Sequence, residues 1–218
     1  MQSLDPVTKP HTEASRMSED HHPKMNDFHT VRTLLAQRAL PPGELPIELE
    51  RVRQAAVTVL LRDHDGMAEL MVIKRADDPR DPWSGHLALP GGRADAEDAN
   101  LVATAARETY EEVGIRLTVE KSFIGQLDTF APTNPRLPLI EITPLIALAP
   151  PEFTLQINEE VTAAFWLPVG QMKEGGLSDV YHLKLGELTI KRPAYPSPHG
   201  PIWGITERIL TSFFELLD

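Results

Sequence analysis

Glu108, Glu111 and Glu112 stand at i, i+3 and i+4 in the run Arg107-Glu108-Thr109-Tyr110-Glu111-Glu112-Val113-Gly114-Ile115. At roughly 100° per residue, a helix places all three carboxylates on one side of a turn, where like charges repel. A hard cation among the oxygens removes that conflict, so the turn reads as a site for Mg²⁺ or Mn²⁺. The competing reading is an amphipathic helix with a solvated acidic face. On the opposite side, Val102, Ala105, Ala106, Thr109 and Val113 form an apolar stripe centred about 130° away. One face can therefore pack while the other binds.

The elements around this turn are those needed to hold it. A helix is expected from about Glu97 to Val113, with Asp95 and Asp98 as a capping box and Gly114 as its stop. Upstream, Gly91-Gly92 follows Pro90 and allows backbone to approach a ligand closely. The polar loop Arg75 to Gly85 carries Arg75, Arg80 and Trp83, a combination able to hold a phosphate and stack on a flat group. Arg-Asp pairs pinning that loop, with Trp83 as its anchor, account for the same residues structurally. Lys191, Arg192 and Tyr195 form a second, weaker patch.

Strands are expected at Gln54 to Arg62 and Glu69 to Lys74, joined by the turn Asp63-His64-Asp65-Gly66. His64 between two aspartates is explained by turn chemistry. Further strands are expected at Phe123 to Phe130, Leu139 to Leu148 and Ala163 to Leu167. A helical turn follows at Pro168 to Met172, then a hairpin across Gly186-Glu187, and a closing helix from Ile202 to Leu217. Residues 1–26 are polar, carry no apolar period and read as a mobile extension. Residues 27–218 read as one domain, with an N-terminal helix over 27–40 packed on it.

With 218 residues, 41% of them apolar and 24% charged, the chain can bury a substantial core. A formal charge of −11 opposes long-range attraction to nucleic acid or an anionic membrane surface, so an anionic ligand needs local arginines or a metal. Cysteine is absent, which excludes disulfides, thiolate nucleophiles and cysteine-zinc sites. No apolar run reaches the length of a membrane span, and no targeting signal opens the chain; cytoplasm is the expected location.

From Gly92 to Ile115 the sequence resembles the box of the Nudix hydrolases, written Gx5Ex7REUxEExGU with U apolar. The second half matches at every fixed position, except that Thr109 replaces an aliphatic residue. In the first half Asp98 stands where glutamate is usual, and eight residues rather than seven separate it from Arg107. Glu159-Glu160-Val161, Phe165-Trp166-Leu167-Pro168 and Ile202-Trp203-Gly204-Ile205-Thr206 are similar to later family features. The resemblance implies an α/β fold, the Nudix αβα sandwich, with a central mixed β-sheet between helices.

It also implies metal ligation by Glu108, Glu111 and Glu112, with Arg107 orienting Glu111. The Gly91 carbonyl would complete the coordination. Glu160, or its neighbour Glu159, would act as a further ligand or general base, and Asp98 would carry no catalytic weight. The coenzyme A pyrophosphatase group is the nearest likeness. Its members carry an arginine and then Gly-x-x-x-Phe-Pro-Gly-Gly before a box with the same extra residue. Here Arg80 precedes Gly85-His86-Leu87-Ala88-Leu89-Pro90-Gly91-Gly92, with Leu89 in place of phenylalanine and one additional residue between the arginine and Gly85.

The implied activity is hydrolysis of a diphosphate bond in a nucleotide-linked small molecule, foremost coenzyme A, giving 4′-phosphopantetheine and 3′,5′-ADP. Arg75 and Arg80 would hold phosphate and Trp83 would stack on adenine. Two other readings stay open: the same chemistry on ADP-ribose or a dinucleotide, and a non-catalytic Nudix module that binds a nucleotide or a protein. A homodimer is an expectation as well.

Overall fold

The computed structural model describes residues 26–48, 53–79, 83–132 and 139–218. The extension expected at 1–26 therefore lies, up to residue 25, outside the described residues. Asn26 belongs to the folded part, because its carbonyl accepts the Ala68 N–H at 2.8 Å.

Two strands form the centre. β1 (Arg53–His64) turns through Asp65 and Gly66 into β2 (Met67–Arg75). Both turn residues have positive φ, 53° and 82°, and the Asp63 carboxylate accepts the Gly66 N–H at 2.8 Å. This is the tight geometry that matches strand twist, and it absorbs the His64 cluster as the sequence indicated. β6 (Ile140–Leu148) lies parallel to β1, while β4 (Gly91–Arg93) pairs with β1 antiparallel. β2 is flanked by β3 (Leu87–Ala88) and β7 (Val161–Pro168), and β5 (Phe123–Gln126) lies at the far edge on β6. The sheet is thus mixed, as expected.

Alternation along β1 and β2 sorts their side chains into two cores. Val59, Leu61, Leu70 and Val72 face one cluster, covered by α1 (Phe28–Arg38) through Val31 and Leu35 and by α5 (Gly204–Glu215) through Ile209, Leu210 and Phe213. Ala56, Leu60, Met71 and Ile73 face the other, covered by α2 (Leu101–Val113) through Leu101, Val102, Ala105 and Val113. A sheet apolar on both faces requires helices on both, so the αβα sandwich follows from the pattern. Among the described residues no helix is long and apolar enough to cross a membrane.

A short helix, α3 (Val119–Ser122), leads into β5, and α4 (Val169–Gly175) follows β7. A second, three-stranded sheet is built from β8 (Asp179–Leu185), β9 (Leu188–Tyr195) and β10 (Ile202–Trp203). Its Tyr195 and Ile202 join the first core, so the two sheets share apolar packing.

Three of the boundaries that differ from the sequence expectation have a local physical cause. The strand expected to reach Phe130 ends at Gln126, and Phe130 returns only as a bridge to Ile142. Leu127 donates its N–H to the Pro144 carbonyl at 2.9 Å, but proline has no N–H to return, so the ladder stops. α2 begins at Leu101 rather than Glu97, because the Asp98 carboxylate is engaged elsewhere and Asn100 is the cap. The final helix starts at Gly204, whose φ of 73° breaks the backbone after Ile202 and Trp203 have paired as β10.

Candidate active site

Helix α2 is fixed at both ends and along its buried side. The Asn100 side chain accepts the Ala103 N–H at 2.9 Å, and Gly114 closes the helix at φ 76° with its N–H on the Tyr110 carbonyl. Thr109, the residue that departs from the aliphatic pattern, is fully buried. Its hydroxyl lies 2.9 Å from that of Thr58 on β1, which also contacts the Ala105 carbonyl at 3.5 Å. The buried hydroxyl is therefore paired, as burial demands.

This anchoring sets the three glutamates at different depths. The Glu112 side chain is 2% exposed, Glu108 13% and Glu111 49%. They share one side of the turn but not one depth: Glu112 turns under β4, where the Gly91 N–H donates to its Oε2 at 2.8 Å. The contribution of Gly91 to Glu112 is thus its N–H. Gly92 lies against Glu108, and a Cβ there would sit 2.5 Å from the carboxyl carbon. Of the acidic turn, Glu108 and Glu112 line the cleft, while Glu111 stands outside its lining.

Arg107 ties the group together. Its Nε and one terminal nitrogen donate to the two Asp98 carboxylate oxygens, each at 2.9 Å, and that nitrogen also reaches the Arg93 carbonyl at 2.9 Å. The other nitrogen donates to Glu108 at 2.9 Å and to Glu111 at 3.1 Å. Such a bidentate pair is short and geometrically specific. Asp98, expected to carry no catalytic weight, holds Arg107 in place through these two bonds. Its carboxylate further accepts the Asp95 N–H and the Thr104 hydroxyl.

The electrostatics follow these contacts. Hydrogen bonding from Arg107 holds Asp98 down at about 2, and the same pair raises the arginine. Burial pushes Glu112 up to about 8, opposed by the Gly91 N–H and Arg75 and reinforced by the charges of Glu108 and Glu160. Glu108 is likewise raised, first by burial, with Arg107 pulling the other way.

Glu160 arrives from the opposite side on a loop tied to the end of α2. Gln156 N–H donates to the Val113 carbonyl at 3.0 Å and Asn158 N–H to that of Glu112 at 3.4 Å. At its other end the Glu160 carbonyl accepts the Ala76 N–H at 2.8 Å, just beyond β2. Glu159 and Glu160 both line the cleft, an open space of about 1750 Å³ that Arg75, Trp83 and Gly92 also border. Arg75 lies 3.7 Å from Glu112. Arg80 lies outside the described residues.

The second patch read from the sequence divides. Arg192 lines the cleft, while Tyr195 is buried with its hydroxyl 3.0 Å from that of Thr211. Lys191 occupies the alternate register of β9 and so points to the other face. Sequence reasoning missed the rings of His86, Tyr181 and Trp203, which meet beside the cleft although they come from distant segments. No local spacing could have joined them.

The donor set suits a hard divalent cation. Glu108, Glu112 and Glu160 offer only carboxylate oxygen along the cleft, and the missing side chain of Gly92 makes room for the Glu108 carboxylate itself. A cation here would favour the charged form of Glu112 that burial disfavours. Among the described residues the carboxylates do not converge on one ion-sized point; Arg107 and Arg75 hold them instead.

Residues 52–184 match the NUDIX domain. The chain is 35% identical to the peroxisomal coenzyme A diphosphatase ndx-8 of Caenorhabditis elegans, over 67% of this chain and 60% of that one. It is 33% identical to the Nudix hydrolase NudL of Enterobacter sp. strain 638, over 88% of this chain and 94% of that one. A Schizosaccharomyces pombe protein, C14C4.10c, shares 37% identity over 47% of this chain. The match spans less than two thirds of the worm and yeast proteins, 60% and 32% respectively. Among solved structures, a MutT/nudix family protein from Enterococcus faecalis superposes with a TM-score of 0.55 at 19% identity, covering 91% of this chain and 72% of that one.

Proposed function

The chain belongs to the Nudix family of pyrophosphohydrolases, and from that premise we propose that it hydrolyses the diphosphate bond of coenzyme A or a coenzyme A derivative, giving 4′-phosphopantetheine and 3′,5′-ADP. The observation that carries the reading is the buried Glu112 on the Gly91 N–H, with Glu108 beside it and Glu160 acting on both from across the cleft. The likeness to a coenzyme A diphosphatase supports the substrate.

Nudix hydrolases use divalent metal ions, and oxygen donors alone favour Mg²⁺ or Mn²⁺ here. Glu108 and Glu112, which line the cleft, would hold the ion, with Glu111 on the exposed part of the same turn as the third carboxylate. Bound there, it supplies charge neutralisation on the diphosphate and a water acidic enough to ionise near neutral pH. Arg107, itself fixed by Asp98, orients Glu108 and Glu111. Glu160, on the opposing loop that borders the same cleft, would take a proton from the attacking water. Arg75 and Trp83 border the path of the substrate, and Arg80, by its place ahead of Gly85, is assigned to phosphate.

A hydrolysis panel with Mg²⁺ or Mn²⁺, products identified by mass, tests this reading. Coenzyme A should be cleaved in preference to ADP-ribose and dinucleotides, and Arg80→Ala should erase a preference for the 3′-phosphate. Preference for ADP-ribose or a dinucleotide would favour the alternative substrate, and no phosphate-bond cleavage with any diphosphate would leave a binding module. Glu111→Gln together with Glu112→Gln should lower turnover at least ~10²-fold in a folded protein. Unchanged turnover in that variant would sink the assignment.

A further inference from the structure

The small sheet carries a feature that the hydrolytic machinery does not use. Tyr181 and Trp203 stack with ring centroids 4.0 Å apart and planes within 8°. His86, at the entry to β3, meets Trp203 at 4.8 Å and Tyr181 at 6.1 Å, with its ring steeply inclined to both. With these three separations, the line from Trp203 to His86 runs nearly perpendicular to the line from Trp203 to Tyr181. Tyr181 therefore covers one face of the indole, and His86 stands at its edge. The other face has no ring against it among the described residues, and Trp203 borders the cleft while Tyr181 does not.

Strand register adds a cation to this platform. In an antiparallel pair, residues directly opposite share a face, as do residues two apart. Tyr181 is opposite Arg192, and Trp203 is opposite Ala194, so Tyr181, Arg192 and Trp203 all lie on one face of the small sheet. Arg192 is the diagonal neighbour of Trp203, a separation of about 7–8 Å that a long side chain spans. Among the described residues it is paired with no carboxylate, and it borders the same cleft. In a chain of net charge −11, such a guanidinium in a cleft is suited to an anion.

We infer that this face, a Trp203 ring braced by Tyr181 and His86 with Arg192 beside it, is the nucleobase subsite of the cleft and holds an adenine nucleotide by stacking and a phosphate contact. The inference rests on the nucleotide chemistry proposed above and moves the stacking role from Trp83 to Trp203. The physical reason is preorganisation. Trp203 is locked between strand pairing and two ring contacts, so stacking a base on it costs little additional ordering. The subsite joins the hydrolytic centre through β3, whose Leu87 carbonyl accepts the Thr206 hydroxyl at 3.2 Å just after Trp203. His86 itself accepts the Arg75 N–H on its carbonyl at 3.0 Å.

Calorimetric binding of 5′-AMP, 3′,5′-ADP and 4′-phosphopantetheine to the full chain in Mg²⁺ tests the inference. Near-UV circular dichroism checks folding of each variant. Trp203→Ala should weaken both nucleotides by roughly 5- to 150-fold, the range expected for one lost base stack, and leave 4′-phosphopantetheine within ~2-fold. Trp203→Phe should restore most of the binding. Arg192→Ala should weaken 5′-AMP and 3′,5′-ADP alike, leaving the 3′-phosphate preference to Arg80, and Arg192→Lys should keep part of the binding. With substrate, Trp203→Ala should raise KM far more than it lowers kcat.

The inference is overturned if folded Trp203→Ala binds both nucleotides as wild type does, if only Trp83→Ala weakens them, or if the wild-type chain binds neither. Failure of coenzyme A cleavage alone is distinguishable. If an adenine dinucleotide is cleaved instead of coenzyme A and 5′-AMP binding still depends on Trp203, the subsite stands and the coenzyme A reading falls.

Discussion

Arg107 makes five hydrogen bonds to four residues, and the chemistry of the acidic turn depends on where those bonds hold it. Asp98→Asn should cost about 1–2 kcal/mol of stability, the low side of the range for a charged hydrogen-bonded group because the arginine is partly exposed. Asp98 titrates at about 2 in the fold against 3.8 ordinarily, so between those values the unfolded chain binds more protons and stability rises with pH. The gap in urea midpoint between wild type and Asp98→Asn should be full above pH 3.8 and close as pH falls toward about 2. Gly92 shows a different dependence. A Cβ there strikes the mobile end of Glu108 rather than backbone. Gly92→Ala should therefore fold, at a cost of about 1–3 kcal/mol, yet lose about 10²-fold in kcat as the carboxylate is displaced. Steady-state kinetics beside a thermal melt separates the two effects.

At the scale of elements, α2 is held to the sheet by a polar contact where an apolar one is usual. Thr58 and Thr109 hydroxyls, both buried, satisfy one another at 2.9 Å. Removing one leaves the other desolvated with only its longer contact, whereas removing both leaves two similar apolar shapes. Thr109→Val should cost about 1–3 kcal/mol, and adding Thr58→Val should recover most of it. A double-mutant cycle by chemical denaturation reads the coupling. The same helix also places the opposing wall, since the carbonyls of Glu112 and Val113 receive the N–H groups of Asn158 and Gln156. The acidic turn and the Glu160 loop are thus parts of one assembly.

Across the whole molecule, the small sheet and the central sheet share a core that includes Tyr195, Ile202, Phe213, Leu70 and Val72. We propose that residues 27–218 fold as one domain, so near- and far-ultraviolet circular dichroism should report a single coincident transition. Ile202→Ala, at a fully buried site, should lower the stability of that transition by about 2–5 kcal/mol rather than melt the small sheet alone. Two separate transitions would show that the sheets are independent units. The shared core also explains how Trp203 on β10 and the acidic turn of α2 border one cleft.

The sequence by itself determined the family, the longer helices, the central strands and the acidic turn, because each is written in local spacing: i, i+3, i+4 for the glutamates, period two for β1 and β2, glycine at the helix stop. It placed Asp98 opposite Asp95 in a capping box, a contact the fold keeps, and the three glutamates on one side of a turn, but residue order reveals neither depth nor long-range partners. Tertiary structure decided that Glu112 is buried under Gly91, that Asp98 anchors Arg107, and that Thr109 answers Thr58 across 51 positions of chain. It also brought His86, Tyr181 and Trp203 together, rings separated by long stretches of sequence. Helix and strand periods are local properties of a chain, while burial, bidentate pairing and ring stacking exist only once distant segments have packed.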